Sequence, residues 1–328
     1  MYKNKCISVI IPAFNAEFTV PEVVQNLPVW VDSIILINDN SEDGTLESAQ
    51  NLKKKFDKVD VIDNAQNLGV GGAMKEGYKR SLSLKMDISV KMDSDGQMDP
   101  GYLPQLLDPL VSGQANYTKG NRFLHTAELK QMPIARRIGN LGLSFLTKAA
   151  SGYWNIFDPT NGYTAIDKQT LEKLDFSNLE DRFFFESSML MELYRNQAVV
   201  KDIAIPARYN GENSSLSTFR SFFEFSPKLV KGFIQRINLQ YFTLDFTAVS
   251  LFLLFGTLLS TFGLIWGIWH WIVSIQTKVA ATTGTVMLAV VPLILGFQFL
   301  LQAFVLDIGN VPKQLKDSDE MADSLKIY

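Results

Sequence analysis

Residues 246–276 and 279–306 contain no Asp, Glu, Lys or Arg, and only Thr277 and Lys278 separate them. A helix needs about 20 apolar residues to cross the ~30 Å hydrocarbon layer of a bilayer, so each run is long enough to span. The alternative is a pair of helices buried in a large soluble core. Against it stand the length of the runs, the cluster Trp266, Trp269 and Trp271 towards one end of the first, and the lack of a polar stripe of helical period. Pro292 lies inside the second run, where a membrane tolerates it, and it predicts a kink.

Basic residues near the ends set the expected orientation. Arg220, Lys228, Lys231 and Arg236 precede the first run and Lys313 and Lys316 follow the second, whereas the connection has Lys278 alone. The excess of cations predicts a cytoplasmic location for both termini. The apolar stretch at 7–11 is too short for a signal-peptide core. A lone Cys6 precludes an internal disulfide, and a net charge of −3 argues against a general nucleic-acid surface.

The preceding 215 residues read as α/β. Apolar runs at 7–11, 33–37, 59–62 and 88–92 are each closed by turn-forming residues, and amphipathic stretches at 45–56 and 72–84 lie between them. Strand then helix, repeated, predicts a mainly parallel sheet with helices on its faces, whose ligands bind beyond the carboxyl ends of the strands. The expected divisions are a catalytic domain at 1–215, interfacial helices at 216–242, a two-helix membrane hairpin at 243–310 and a cytoplasmic tail at 311–328.

The fourth strand ends in Lys91-Met92-Asp93-Ser94-Asp95-Gly96-Gln97. Alternate aspartates where a strand enters a turn can offer hard oxygen ligands to one divalent cation, with Gln97 as a further oxygen. They can equally hydrogen-bond the backbone of the turn, a common use of Asp before Gly. Company favours the first use: Pro12-Ala13-Phe14-Asn15-Ala16-Glu17 follows the first strand, Asn38-Asp39-Asn40-Ser41-Glu42-Asp43-Gly44-Thr45 the second, and Asn67-Leu68-Gly69-Val70-Gly71-Gly72-Ala73 the third.

This ordered series resembles the nucleotide-sugar half of family-2 glycosyltransferases of the Rossmann-like GT-A fold. The likeness continues through Gly120-Asn121-Arg122-Phe123, Arg136-Arg137-Ile138-Gly139-Asn140, Asp158-Pro159-Thr160-Asn161-Gly162-Tyr163 and Phe185-Glu186 into the apolar runs. The whole layout is similar to the polyprenyl-phosphate glycosyltransferases, the group that contains dolichol-phosphate mannose synthase and the bacterial undecaprenyl-phosphate glucosyltransferases. The resemblance implies inverting transfer of one hexose from a UDP- or GDP-sugar to a membrane polyprenyl phosphate, undecaprenyl or dolichyl. It implies that Asp39, with Pro12, Ala13, Asn15, Glu17, Asn67 and Gly69, holds the nucleotide sugar. Asp93 and Asp95, with Gln97, would hold Mg²⁺ or Mn²⁺ against the diphosphate. Arg122, Arg136, Arg137 and Asn140 fall where the family binds the lipid phosphate, although Arg136-Arg137 also suits a solvated helix face.

Glu186 has two readings, positioning of donor or acceptor, or a cap or salt bridge at its own helix, and the resemblance counts it with Asp93, Asp95 and Arg122 in the catalytic set. A phosphate acceptor is already ionised near neutral pH, so no catalytic histidine is needed, and His125 and His270 are incidental. One departure stands out: Ser215 occupies the place of a family lysine after a strand expected at 203–209, so that Arg208 or Arg220 would supply the cation, with Arg208 the expected contact to the donor diphosphate.

Phe219, Phe222, Phe223, Phe225, Phe233 and Phe242 interleave with basic residues before the first span, which suits helices lying among headgroups or packing between domain and spans. Gly256, Gly263 and Gly267 leave room for close packing against neighbours, including a second copy of the chain. Competing classes fit less well. Met74 replaces the third glycine of a nicotinamide fingerprint, and a polymer synthase would show Gln-x-x-Arg-Trp and more spans. A non-catalytic membrane adaptor built on a degenerate transferase would not need Asp39, Asp93 and Asp95 intact.

Overall fold

The computed structural model describes residues 1–122, 134–206 and 218–313, without the side chains of 134–140 and 218–222. It divides into a larger unit over Met1–Gly232 and a smaller one over Phe233–Val311, the division falling within one helix.

The larger unit is built on a seven-stranded sheet of order β3-β2-β1-β4-β6-β5-β7. Its strands are β1 (Ile7–Ala13), β2 (Ser33–Asn38), β3 (Val59–Asp63), β4 (Ile88–Lys91), β5 (Tyr117–Asn121), β6 (Thr164–Asp167) and β7 (Val200–Ala204). Every residue of β1, β2 and β4 is buried, as expected for central strands covered on both faces. β1 pairs in parallel with both β2 and β4, and β2 with β3. β6 runs antiparallel to both β4 and β5, while β5 and β7 are parallel. The sheet is thus mostly parallel, and the reversed β6 is a feature the apolar runs did not reveal.

Helices α1 (Thr19–Asn26), α2 (Thr45–Lys55), α3 (Gly69–Ser83) and α4 (Leu103–Val111) follow the first four strands. Of these, α1, α2 and α4 bury Val20, Val23, Leu52, Leu103, Leu106 and Leu107 in one cluster with Ile7, Val9, Ile11, Ile34 and Leu36, each large side chain contributing about 1.5–3 kcal/mol. α3 lies so close to the sheet that a Cβ on Gly77 would fall on Ile10 and come 3.1 Å from Ile37. α5 (Ile134–Ser151), α6 (Lys168–Lys173) and α7 (Phe185–Arg195) complete the larger unit, with the first part of α8 (Thr218–Asn238). β7 starts before the expected 203 because Tyr117–Asn121 of β5 pairs in register with Val200–Ala204.

The smaller unit holds the end of α8, a single wide helical turn over Leu239–Leu244, and two long helices, α9 (Ala248–Thr277) and α10 (Thr283–Gly309). At 30 and 27 residues they run roughly 45 and 40 Å at ~1.5 Å per residue. Both are long and apolar enough to cross a membrane. Leu258, Ile265, Trp269, Trp271, Ile294 and Phe297 are each more than 60% exposed, which is not how the helices of a soluble core lie. α10 continues through Pro292 without interruption. The small residues face the partner helix: a Cβ on Gly256 would meet Leu300 at 2.9 Å, one on Gly263 the Ala289 carbonyl at 2.7 Å, and one on Gly267 the Ala289 methyl at 3.3 Å. These glycines therefore line the seam of the hairpin itself.

Arg236, expected among the headgroup-facing cations, is 6% exposed and paired through both terminal nitrogens with the two oxygens of Asp307, at 2.7 and 2.8 Å. The Tyr241 hydroxyl donates to the same carboxylate at 2.7 Å. Within the larger unit, Phe225 stacks edge-on against Phe184 at 5.2 Å, and Lys228 pairs with Glu180 at 2.7 Å. For Phe225 the packing alternative holds, whereas Phe223 and Phe242 are exposed.

Candidate active site

The first two loops beyond the sheet are stitched to each other. Asn15, in the left-handed region at φ 51°, donates its backbone N–H to Ser41 Oγ and accepts from the Glu42 N–H. Glu17 accepts from the Gly44 N–H at 2.7 Å, and Ala16 N–H donates to Thr45 Oγ1 at 2.7 Å. Pro12 and Ala13 are held in the ladder opposite Ile37 and Asn38. Asn15 and Glu17 thereby fix the floor at the carboxyl ends of β1 and β2.

Asp39 follows directly and is 3% exposed. One carboxylate oxygen accepts from Asn64 Nδ2 at 2.8 Å and the Leu68 N–H at 2.9 Å, the other from the Gly69 N–H at 2.7 Å. Three of its ~4 acceptor positions are thus filled from within, and what Asp39 does here is shape the loop that carries Asn67 and Gly69. Gly69 has φ +80°, and a Cβ there would come 2.7 Å from the Asp181 carbonyl. The glycine-rich turn opening α3 is therefore packed against 180–185, not open as a phosphate cradle, in keeping with the poor nicotinamide match.

At the end of β4, Asp93 is half-buried and Asp95 exposed. Asp95 accepts from the Gln97 N–H at 2.9 Å, with Gly96 at φ +73° completing the turn. The backbone-holding role is thus present in Asp95, and the spacing still directs two carboxylates to the carboxyl edge of the sheet. Among the described residues no group of three or more His, Cys, Asp and Glu side chains is placed to hold a metal.

Beneath the turn lies a charged cluster that the motifs do not announce. Lys91 is 1% exposed, and its ammonium sits 2.6 Å from Asp93 Oδ1 and 3.3 Å from Glu186 Oε1. Burial by itself lowers the affinity of Lys91 for its proton, but the carboxylates of Asp93 and Glu186 outweigh it and hold the ammonium well above its ordinary range. Glu186, in the first turn of α7, therefore pairs across to β4. Gly162 covers the pair: a Cβ there would fall on Lys91 Nζ and lie 2.7 Å from Asp93 Oδ2.

Lys119 on β5 is fully buried and donates to the Asn161 carbonyl. Burial pushes it down to about 8, partly opposed by Glu186 and Asp158. Lys91 and Lys119 both stand opposite Thr164 of β6, so all three occupy one line across the sheet.

Arg122 comes just after β5. Its Nε donates to Asp158 Oδ2 at 2.8 Å and an Nη to Oδ1 at 3.2 Å, with Asp158 fully buried and the Arg122 side chain 37% exposed. The expected phosphate ligand is thus already forked onto a carboxylate, with its side chain partly exposed. Asp202 of β7 accepts from Asn121 Nδ2 at 2.8 Å and the Phe157 N–H at 2.7 Å, so it steadies the loop bearing Asp158. Its other oxygen is buried without a hydrogen bond, and burial raises the carboxyl to about 6. Arg136, Arg137 and Asn140 lie in α5, with side chains outside the described residues, as are Arg208, Ser215 and His125. His270 stacks on Trp266 at 4.6 Å, remote in kind from any site.

The structure thus brings Asp93, Asp95, Glu186 and Arg122 to the carboxyl edge together with Lys91, Lys119, Asp158, Gly162 and Asp202, to which sequence reasoning gave no role. A signal existed for the lysines, since a Lys inside a wholly buried strand needs an ionic or carbonyl partner.

The mostly parallel sheet of this order, with acidic turns at its carboxyl edge, is a GT-A-like fold, and solved structures share it. Glucosyl-3-phosphoglycerate synthase from Mycobacterium tuberculosis bound to UDP overlaps 71% of this chain and 80% of its own, with TM-score 0.51 and 21% identity. The same enzyme with Mn²⁺, UDP-glucose and phosphoglyceric acid gives 0.50 at 19% identity over the same shares. The chain belongs to glycosyl transferase family 2, whose family model matches residues 8–175. It is 32% identical over 219 residues to a UDP-N-acetylglucosamine–dolichyl-phosphate N-acetylglucosaminyltransferase of Methanococcus voltae, covering 63% of this chain and 87% of that one. It is 28% identical over 207 residues to the polyprenol monophosphomannose synthase of Mycolicibacterium smegmatis, covering 60% and 75%.

Proposed function

We propose that this glycosyltransferase moves a single hexose from a nucleoside diphosphate to a polyprenyl phosphate, undecaprenyl or dolichyl, at the cytoplasmic face of a membrane. The observation that carries the reading is the Asp93-Ser94-Asp95 turn at the carboxyl end of β4, with Asp93 held from below by Lys91 and covered by Gly162. The names of the relatives supply the acceptor class.

Two carboxylates with the Gln97 amide are a hard-oxygen set that suits Mg²⁺ or Mn²⁺ with the remaining positions left to phosphate oxygens. A cation bound there neutralises charge on the departing nucleoside diphosphate. The chain does the rest. Asp39 fixes the loop that carries Asn67 and Gly69 along the nucleotide side, and the stitched loops of Asn15 and Glu17 form the floor. Asp158 holds the partly exposed guanidinium of Arg122, whose fixed positive charge suits an anionic acceptor. Arg136, Arg137 and Asn140 add to that side, and Arg208 to the diphosphate. Because the second ionisation of a phosphate monoester falls near pH 6, the acceptor attacks as a dianion and needs no general base; direct attack inverts the anomeric carbon.

In this reading 1–215 is the catalytic domain, 216–242 lies at the interface, 243–310 is the membrane hairpin and 311–328 a cytoplasmic tail. The test is to incubate membranes holding the chain with labelled UDP- and GDP-sugars and polyprenyl phosphate, with and without chelator. A labelled lipid that disappears with chelator and in Asp95→Asn is expected, and full activity of Asp95→Asn refutes the assignment.

A further inference from the structure

The buried ammonium beneath the acidic turn bears directly on how the site acquires its cation. We propose that Lys91 is a built-in cation that shares Asp93 with the metal and so makes divalent-ion binding conditional on the nucleotide diphosphate. The proposal rests on the reading above, in which Asp93 and Asp95 take the ion.

Lys91 cannot withdraw. It is 1% exposed, its ammonium is 2.6 Å from Asp93 Oδ1 and 3.3 Å from Glu186 Oε1, and the backbone at Gly162 closes over it. Its backbone is held in register between β1 and β6. One carboxylate oxygen of Asp93 is therefore already neutralised from inside. A divalent ion held at this turn would face that fixed positive charge across the Asp93 carboxyl group, and the two would repel. Glu186, the other carboxylate on this ammonium, offsets part of that charge but stands on the inner side of Lys91 and not among the residues expected to hold the ion.

A diphosphate arriving from the open side brings the missing negative charge and restores a favourable balance. In its absence the ammonium keeps Asp93 in place, so the ligand is ordered before the ion comes. Lys91 touches neither sugar nor phosphate in this scheme and is a positioning residue acting through Asp93.

A purely structural lysine would behave in the opposite sense: its loss would disorder Asp93 and weaken the ion. The experiment measures Mn²⁺ binding to the full chain in detergent, from the resonance of the free ion, with and without UDP or GDP. The wild type is expected to bind weakly alone and much more tightly with nucleotide. Lys91→Met is expected to bind Mn²⁺ without nucleotide on the order of tenfold more tightly than wild type, with a smaller gain from nucleotide, and Lys91→Arg to behave as wild type. Glu186→Gln, which leaves the ammonium's charge bearing more fully on Asp93, is expected to weaken nucleotide-free binding several-fold and keeps the idea testable should Lys91→Met fail to fold. Unchanged or weaker nucleotide-free binding in Lys91→Met, metal behaviour of Lys91→Arg like that of Lys91→Met, or an unaltered Glu186→Gln overturns the proposal. A wild type that binds no Mn²⁺ even with nucleotide overturns the metal reading itself.

Discussion

At the scale of single residues, the candidate site is decided by what lies under the aspartates as much as by the aspartates. Gly162 is the sharpest case, because any side chain there collides with the Lys91 ammonium and approaches Asp93 Oδ2. Gly162→Ala is expected to displace Asp93 and lower turnover by roughly 100-fold, the cost of about 1 Å of misplacement, with circular dichroism and detergent solubility unchanged; near-normal turnover in a lipid-product assay would show that the contact is relieved elsewhere. The residue types that carry hard-oxygen chemistry were legible in the sequence, since Asp93 and Asp95 announce themselves by alternation before a glycine. Their supports were not. Lys91 and Glu186 belong to different elements far apart in the chain, and nothing in either segment alone says that one neutralises the other. Arg122 was singled out by its motif, but its fork onto Asp158 depends on a loop whose approach only the folded sheet fixes.

At the scale of elements, apolar runs closed by turn residues located β1 to β4 to within a few residues, and the amphipathic spacing located α2 and α3. β6 escaped because Thr164–Asp167 has Ile166 as its one large apolar side chain and so forms no apolar run. Its antiparallel course matters, because it lays the start of β6, and hence the loop ending in Gly162, beside the end of β4. The smaller unit shows the same limit. Composition found α9 and α10, whereas the pairing of Arg236 with Asp307 turns a supposed headgroup cation into an internal staple between α8 and α10. Removing one partner strands a buried charge, at a cost of about 3–5 kcal/mol. Arg236→Met and Asp307→Asn are each expected to lower the thermal stability of the detergent-solubilised chain, and the double variant to lose less than the sum of the two. Strictly additive losses in that double-mutant cycle would deny the coupling.

At the scale of the whole molecule, the family and two helices long and apolar enough to cross a membrane were readable from motif order and uncharged length, since both are written along the chain. The electrostatics of the interior were not, because they arise from distant segments. Asp202 gives that interior a measurable signature. Its carboxyl is raised from 3.8 to about 6 by burial, so the folded chain holds a proton that the unfolded chain has released between those values. Stability contributed by this group is therefore full below about pH 4 and falls as pH rises towards about 6, by on the order of 2–3 kcal/mol. Comparing unfolding at pH 4.5 and 7 for wild type and Asp202→Asn checks this: the fall attributable to this carboxyl should be missing from the variant, and identical pH profiles would contradict it.

The sheet order also has a consequence for how the molecule comes into being. β3, β2, β1 and β4 join neighbours already made, but β6 enters between β4 and β5, and the partner of Lys91 on α7 follows later still. A nascent chain leaving the ribosome can therefore assemble its nucleotide-side half early, while the acidic turn waits, its ammonium half-matched, until some hundred further residues have emerged. Pairings this distant in sequence form slowly. The two long apolar helices follow every strand of the sheet in the chain, so the sheet can close before they are made.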